Sequence, residues 1–237
     1  MTGVGIWNNQ NPDEQLSYEE FKAGIDDQSH PLHKELKKAR ALGKTINFGG
    51  QYRASAQKLG SLLFVSEEEA QAMIEAKAAA FPVAEAWALK EMEDVKHTGV
   101  VKTMLGGIRH LATALNSDDR YEASKADRQA LSMRIQGSAA EMTKLAEGRM
   151  WKERLEQRFD AQIIGPVHDE VVASVSIKDL HEFLPAMHAC MVANYAGMRL
   201  PIRSSVSFGK NFYEQIEIGD DPTKEAIDAG LLELQKA

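Results

Sequence analysis

Two runs of branched apolar residues, Ile163-Ile-Gly-Pro-Val167 and Val171-Val-Ala-Ser-Val175, are separated by only three polar residues, His168, Asp169 and Glu170. So short a link between strand-forming runs predicts an antiparallel hairpin with the three polar residues at its tip. A carboxylate pair held on a rigid tip suits a hard divalent cation, because Mg²⁺ takes few, fixed oxygen ligands. Alone, the triplet says little, since the same residue types also close turns that bind nothing.

A second pattern lies about 120 residues upstream, in Arg40-Ala-Leu-Gly-Lys44-Thr-Ile-Asn-Phe48-Gly-Gly-Gln-Tyr52. Arg40, Lys44, Phe48 and Tyr52 recur every fourth residue, so on a helix they share one side. The stripe offers two cations and then two rings, which suits a polyphosphate and a stacked base. The alternative is an amphipathic helix that packs its rings into a core. Gly43, Gly49 and Gly50 weigh against a helix built for stability alone, because each costs roughly 1 kcal/mol relative to Ala. Such glycines are expected to let a ligand approach the backbone closely.

With both patterns in view, the sequence resembles the family A DNA polymerases. Lys44-Thr-Ile-Asn-Phe-Gly with Tyr52 is similar to the family's motif B, and Val167-His-Asp-Glu170 to its motif C. Between them, Gln136-Gly-Ser-Ala-Ala-Glu141 resembles the Gln-Gly-Thr-Ala-Ala-Asp segment that opens a long palm helix. The resemblance runs from about Leu36 to about Tyr213. It implies an α+β fold, with a helical fingers-like lobe and a partial palm carrying the motif C hairpin and long helices. The implied organisation is an unassigned extension at 1–30, fingers at 31–125 and palm at 126–237.

The roles the resemblance implies follow residue by residue. Asp169 binds catalytic Mg²⁺, with Glu170 in support. Lys44 contacts the triphosphate, Arg40 the distal phosphates, Phe48 the sugar and base, and Tyr52 the templating position. Gln136 reads minor-groove acceptors common to all base pairs, Arg128 holds the primer–template backbone, and His168 touches the primer end. Primer–template DNA and dNTPs are the implied partners. The family's motif A aspartate precedes motif B, yet Asp13, Asp26 and Asp27 sit in no strand-like run. The expectation is therefore a polymerase split between motifs A and B. A partner chain would bring motif A, a thumb and, in some members, an exonuclease. Arg53 in place of a glycine, Ser132 in place of an asparagine, Arg134 in place of a proline, and Pro166 and Gly107-Ile-Arg-His110 depart from the family pattern and point to a divergent, phage-type branch. A non-catalytic remnant that binds DNA or nucleotide, or a single-subunit RNA polymerase relative, are the competing readings.

The net charge of −7 conceals a basic segment. Between His33 and Lys58, Lys34, Lys37, Lys38, Arg40, Lys44, Arg53 and Lys58 face Glu35 alone, which is the local excess that phosphate binding needs. No apolar run is long enough to span a bilayer and no signal-peptide pattern opens the chain, so no membrane role is expected. Cys190 is the single cysteine, which excludes an intrachain disulfide and fits a cytoplasmic setting. His30 and His33 have no cysteine or carboxylate companions that would make them a metal pair.

Local signals predict further elements. Ser17-Tyr-Glu-Glu20 and Ser66-Glu-Glu-Glu69 have capping-box spacing and open helices. The basic helix spans 33–52, and Pro82 starts a helix to about Val95. Residues 99–107 read as a short strand or extended link, and residues 112–124 as a loop. Helix is expected from Ala126 to Phe159, interrupted at Gly137, and again from Asp179 to Tyr195. Leu200–Phe208 alternates as a strand, and an acidic helix follows Pro222. Trp87 and Trp151 are expected in the core.

Overall fold

The computed structural model describes residues 2–195 and 198–236 and divides into two units, Met1–Lys102 with Ile108–Arg134, and Thr103–Gly107 with Ile135–Ala237. The division falls at Arg134/Ile135, and residues 1–30 lie within the first unit.

That first unit opens with α1 (Thr2–Gln10), α2 (Tyr18–Asp26) and α3 (His33–Gln51). Trp7 and Phe21 are buried with Leu36 and Ala39 of α3 in one cluster. Ser17 caps α2 through a complete capping box with Glu20, as the spacing predicted. The sequence gives little warning of α1, because Gly3 and Gly5 are poor helix formers. Its support is tertiary. Gly3 and Gly43 let α1 lie against α3 so closely that a Cβ on Gly43 would fall 2.8 Å from the Gly3 nitrogen. This corrects the expectation for the motif B glycines. Gly43 admits a neighbouring helix, Gly49 faces Leu59, and Gly50 lies beneath the Lys77 stem, so none of the three opens the backbone to a ligand.

Continuing the unit are α4 (Ala56–Leu63), α5 (Glu67–Ala80) and α6 (Pro82–Thr98). Ser66 and Glu69 form the expected box at the start of α5. Pro82 occupies the first turn of α6, where its missing N–H costs nothing. Next come β1 (Val100–Lys102), paired antiparallel with β2 (Ile108–His110), then α7 (Ala112–Leu115) and α8 (Arg120–Ser132). The expected loop at 112–124 therefore holds one short helix and the start of another. Asp119 caps α8 by accepting from the Tyr121 N–H at 2.8 Å. That cap is hidden in the polar run Ser117-Asp-Asp. Val95, Val101, Leu111 and Ala130 form the second buried cluster of this unit.

In the second unit, α9 (Ser138–Lys152), α10 (Leu155–Arg158), β3 (Ala161–Val167), β4 (Glu170–Val175), α11 (Leu180–Val192), β5 (Val206–Gly209), β6 (Gln215–Gly219) and α12 (Lys224–Leu234) surround one core. Met150, Leu155, Phe183 and Ile227 are essentially inaccessible. Phe159 and Phe183 meet edge to face at 5.8 Å. One face of β3–β4 supplies Ala161, Ile163, Val171, Ala173 and Val175 to this core. Of the expected 200–208 strand only Val206–Phe208 forms, extended by Gly209, and it pairs with the unexpected β6. Where a helix break was expected at Gly137, Met133–Gly137 widens into a π turn and the helix continues. Such a turn accommodates one extra residue.

Trp87 and Trp151 are not core residues, with Trp87 38% exposed and Trp151 77% exposed. Trp151 lies near the end of α9, on the side opposite Ala146 and Met150, which take the core positions. An amphipathic helix buries only one stripe, and Trp151 falls outside it. The fold is α+β, helices with small antiparallel hairpins, as the sequence led one to expect.

Candidate functional site

The basic helix separates its two faces cleanly. Leu36, Ala39, Gly43, Ile46 and Gly50 are buried, while Lys37, Arg40, Lys44 and Phe48 are exposed on the other side. Phe48 is 50% exposed, which rejects the core-packing alternative for that ring. The Lys44 Nζ stands 5.7 Å from the Phe48 ring centroid. Among the described residues neither Arg40 nor Lys44 has a carboxylate partner within ion-pair distance, so both charges remain available to an anion. Lysine and arginine can lay their stems along apolar surface while keeping the charge in water, which suits capture of a polyphosphate.

Tyr52 is half-buried and is the C-cap of α3, not a residue of its last turn. Arg53 follows in a left-handed conformation, φ 55°. Its N–H points to Gly50 O at 3.4 Å, and the Ala54 N–H donates to Gly49 O at 2.8 Å. This is the pairing of a Schellman cap, whose left-handed slot glycine normally fills. A side chain there costs roughly 1–2 kcal/mol. Arg53 Nη1 in turn meets Glu85 Oε1 of α6 at 2.6 Å.

Arg128 of α8 donates from Nη1 to Ser124 Oγ at 2.7 Å. Arg134 has a structural task, with Nη1 donating to Lys102 O at 2.7 Å and Nε 3.3 Å from Glu91.

In the second unit, β3 and β4 pair antiparallel with Val167 opposite Glu170, so His168 and Asp169 alone form a two-residue turn. Glu170 opens β4 instead of sharing the tip. His168 takes φ 59°, the left-handed first position that glycine prefers in such turns. Holding histidine there fixes Asp169 beside it. His168, Asp169 and Glu170 are all exposed. Among the described residues no three of His, Cys, Asp and Glu converge to hold a metal. The donor set nevertheless suits Mg²⁺ in kind. Two hard carboxylates, one in the turn and one at the start of β4, match an ion that is commonly held by one or two carboxylates plus substrate phosphates.

Gln136 lies in the π turn and its side chain is exposed. The start of α9 beyond it is anchored by Thr103–Gly107, part of the stretch expected as a short strand or extended link. Thr103 Oγ1 bonds Glu141, the Met104 N–H donates to Ser138 Oγ at 2.8 Å, and the Gly107 N–H donates to Thr103 Oγ1 at 2.7 Å. Gly107 is required there, because a Cβ would run into the Glu141 carboxylate. Farther along α9, Arg149 stacks 4.4 Å over Tyr195, whose hydroxyl donates to Met142 O at 2.7 Å. Burial pushes the Cys190 thiol above its usual range and leaves it inert. No described helix is long and apolar enough to cross a membrane.

Comparison with known proteins places these features in context. The family model for DNA polymerase family A matches residues 28–214. The chain is 30% identical over 175 residues to DNA polymerase I of Borreliella burgdorferi, covering 74% of this chain and 19% of that protein. It is 32% identical over 173 residues to the thermostable DNA polymerase I of Thermus aquaticus, covering 73% of this chain and 20% of that one. The fold is similar to the POL domain of Pol1 from M. smegmatis, solved in complex with DNA primer-template and dNTP. The TM-score is 0.67 at 23% identity, covering 98% of this chain and 39% of that chain. The chain thus spans about a fifth of the length of these curated relatives.

Proposed function

This chain belongs to DNA polymerase family A, and from that premise we propose that it supplies the fingers and part of the palm of a template-directed DNA polymerase. The reaction is addition of a dNTP to a primer 3′-OH. The 3′-oxygen attacks the α-phosphorus, the bond to the β-phosphate oxygen breaks, pyrophosphate leaves and the hydroxyl proton is released. The observation that carries the reading is the exposed stripe Arg40–Lys44–Phe48, charged and without carboxylate partners among the described residues, opposite a buried face of the same helix.

In this scheme Arg40 and Lys44 grip the triphosphate, and Lys44 stabilises charge that grows as pyrophosphate departs. Phe48 packs beside the incoming sugar and base, and Tyr52 stands at the templating position. Gln136 checks minor-groove acceptors at the primer end, Arg128 holds the duplex backbone, and His168 touches the primer terminus. Asp169 would hold Mg²⁺, with Glu170 binding its water. When bound, the ions supply positive charge at the attacking and leaving oxygens.

The second metal-anchoring aspartate comes from a partner chain carrying motif A. Supporting this, Asp169 and Glu170 gain no third ligand among the described residues. Both outer edges of the β3–β4 hairpin lack a strand partner among the described residues, and outward-facing Ile164 is 67% exposed. Open edges beside exposed apolar side chains are where another polypeptide pairs. The same missing ligand also favours a second reading, a non-catalytic protein that binds nucleotide and DNA. Single-nucleotide insertion by this chain with a motif A partner, using dNTPs and NTPs in parallel, separates the readings. Insertion of dNTPs supports a DNA polymerase, preference for NTPs an RNA polymerase relative, and binding without insertion the remnant.

A further inference from the structure

The C-terminal end of α3 is closed by its Schellman cap but packed on only part of its circumference. Gly49 and Gly50 lower its helix propensity. Leu59 packs on Gly49, but Asn47, Gly50 and Gln51 face a cavity of about 270 Å³ bounded by Phe81, Trp87 and Lys77. A helix end backed in part by a cavity opens locally at lower cost than one packed on every side. What spans the gap is polar. Arg53, in the left-handed slot of the cap, reaches Glu85 of α6 at 2.6 Å, with both side chains mostly shielded at 26% and 21% exposure. The Lys77 stem from α5 lies across Gly50, where a Cβ would fall 3.1 Å from its Cδ.

Arginine in a glycine slot is costly for the backbone, so its side chain must return something. We propose that Arg53 is a positioning residue, whose ion pair with Glu85 latches the last turn of α3 to α6 and thereby sets the pose of Lys44, Phe48 and Tyr52 toward the nucleotide. The inference rests on the reading of the α3 stripe as the nucleotide face, and it concerns a residue that itself touches no substrate. An isolated ion pair on an open surface would do little. Here it is shielded, and it ties down a segment that borders a cavity on one side.

The test uses the full chain with Arg53→Gly, Glu85→Gln and Arg53→Lys. Glycine relieves the left-handed strain, so backbone effects alone predict that Arg53→Gly is neutral or stabilising and that Asn47–Gln51 exchange their amide hydrogens no faster. The latch predicts roughly tenfold faster exchange there in both Arg53→Gly and Glu85→Gln, with the melting temperature preserved, and partial recovery in Arg53→Lys. In a titration with dNTP and Mg²⁺ followed by NMR at α3, both uncharged variants should bind about threefold to tenfold more weakly than the wild type. Unchanged exchange, or faster exchange with unchanged dNTP affinity, overturns the latch while leaving the polymerase reading intact. No dNTP response at α3 in the wild-type chain counts against the polymerase reading and takes this inference with it.

Discussion

The Lys44 ammonium stands 5.7 Å from the centre of the Phe48 ring, one helical turn along the same exposed face of α3. At an exposed site such a cation–π contact stabilises by roughly 0.5–1 kcal/mol. Its larger effect is placement, since it presents charge and ring side by side to whatever approaches. A nucleoside triphosphate has the matching pair of features.

Replacing Lys44 with alanine should therefore impair nucleotide insertion far more than duplex binding. Loss of one contact to developing charge is worth roughly 10²–10³ in rate. Single-nucleotide insertion compared with duplex binding by the partnered complex checks this. An equal loss in both would assign Lys44 a diffuse electrostatic role.

Phe48→Tyr should relax discrimination against chain terminators. The phenyl ring has no hydroxyl to replace the 3′-OH that a dideoxynucleotide lacks, so that interaction goes unmade. Competition between ddNTP and dNTP at one template site reads the effect. If the wild type already uses both equally, Phe48 does not face the sugar.

Two glycines should respond in opposite directions to alanine. Gly43 abuts the Gly3 backbone, so Gly43→Ala must push α1 away and should cost about 1–3 kcal/mol. A Cβ at Gly5 meets nothing within 4 Å, so Gly5→Ala should stabilise by about 0.5–1 kcal/mol. Thermal denaturation of the two variants decides. Equal shifts would mean that α1 does not pack on α3 as described.

The start of α5 should weaken in acid. The Ser66 backbone N–H, and then its hydroxyl, hold the Glu69 carboxyl below its ordinary range. The capping contribution is therefore complete above the unfolded glutamate's pKa and is lost as pH falls through the lower folded one. NMR titration of Glu69 should show a depressed midpoint, and Glu69→Gln should remove the loss of amide protection in acid, relative to the intrinsic exchange rate, at the first turn. A midpoint at or above that of a free glutamate would contradict the capping box.

Much of this architecture is legible in the sequence, because the signals are local. Ser66 with Glu69, Pro82, and the Val167–Val171 interval each specify structure within a few residues. The four-residue spacing of Arg40, Lys44 and Phe48 identifies a shared face, although only burial shows which side of α3 meets the core. What escapes sequence reasoning is tertiary. α1 exists because α3 covers it, and Gly43 serves that packing. Trp151 is exposed although its chemistry favours burial. The Arg53–Glu85 tie joins residues distant in sequence, so only the left-handed cap and the fold together reveal it. Of the proposed metal ligands, the sequence exposes Asp169 and Glu170, and the structure places Asp169 in the two-residue turn and Glu170 at the first position of β4.

The central claim is tested most directly by primer extension with Mg²⁺ and the four dNTPs, by this chain alone and with a polypeptide carrying the motif A aspartate, each with Asp169 or Asp169→Asn. The account predicts no extension by the chain alone, templated extension by the pair, and loss of that extension in Asp169→Asn with assembly intact. Robust extension by the chain alone, or undiminished extension by an assembled Asp169→Asn pair, would contradict it.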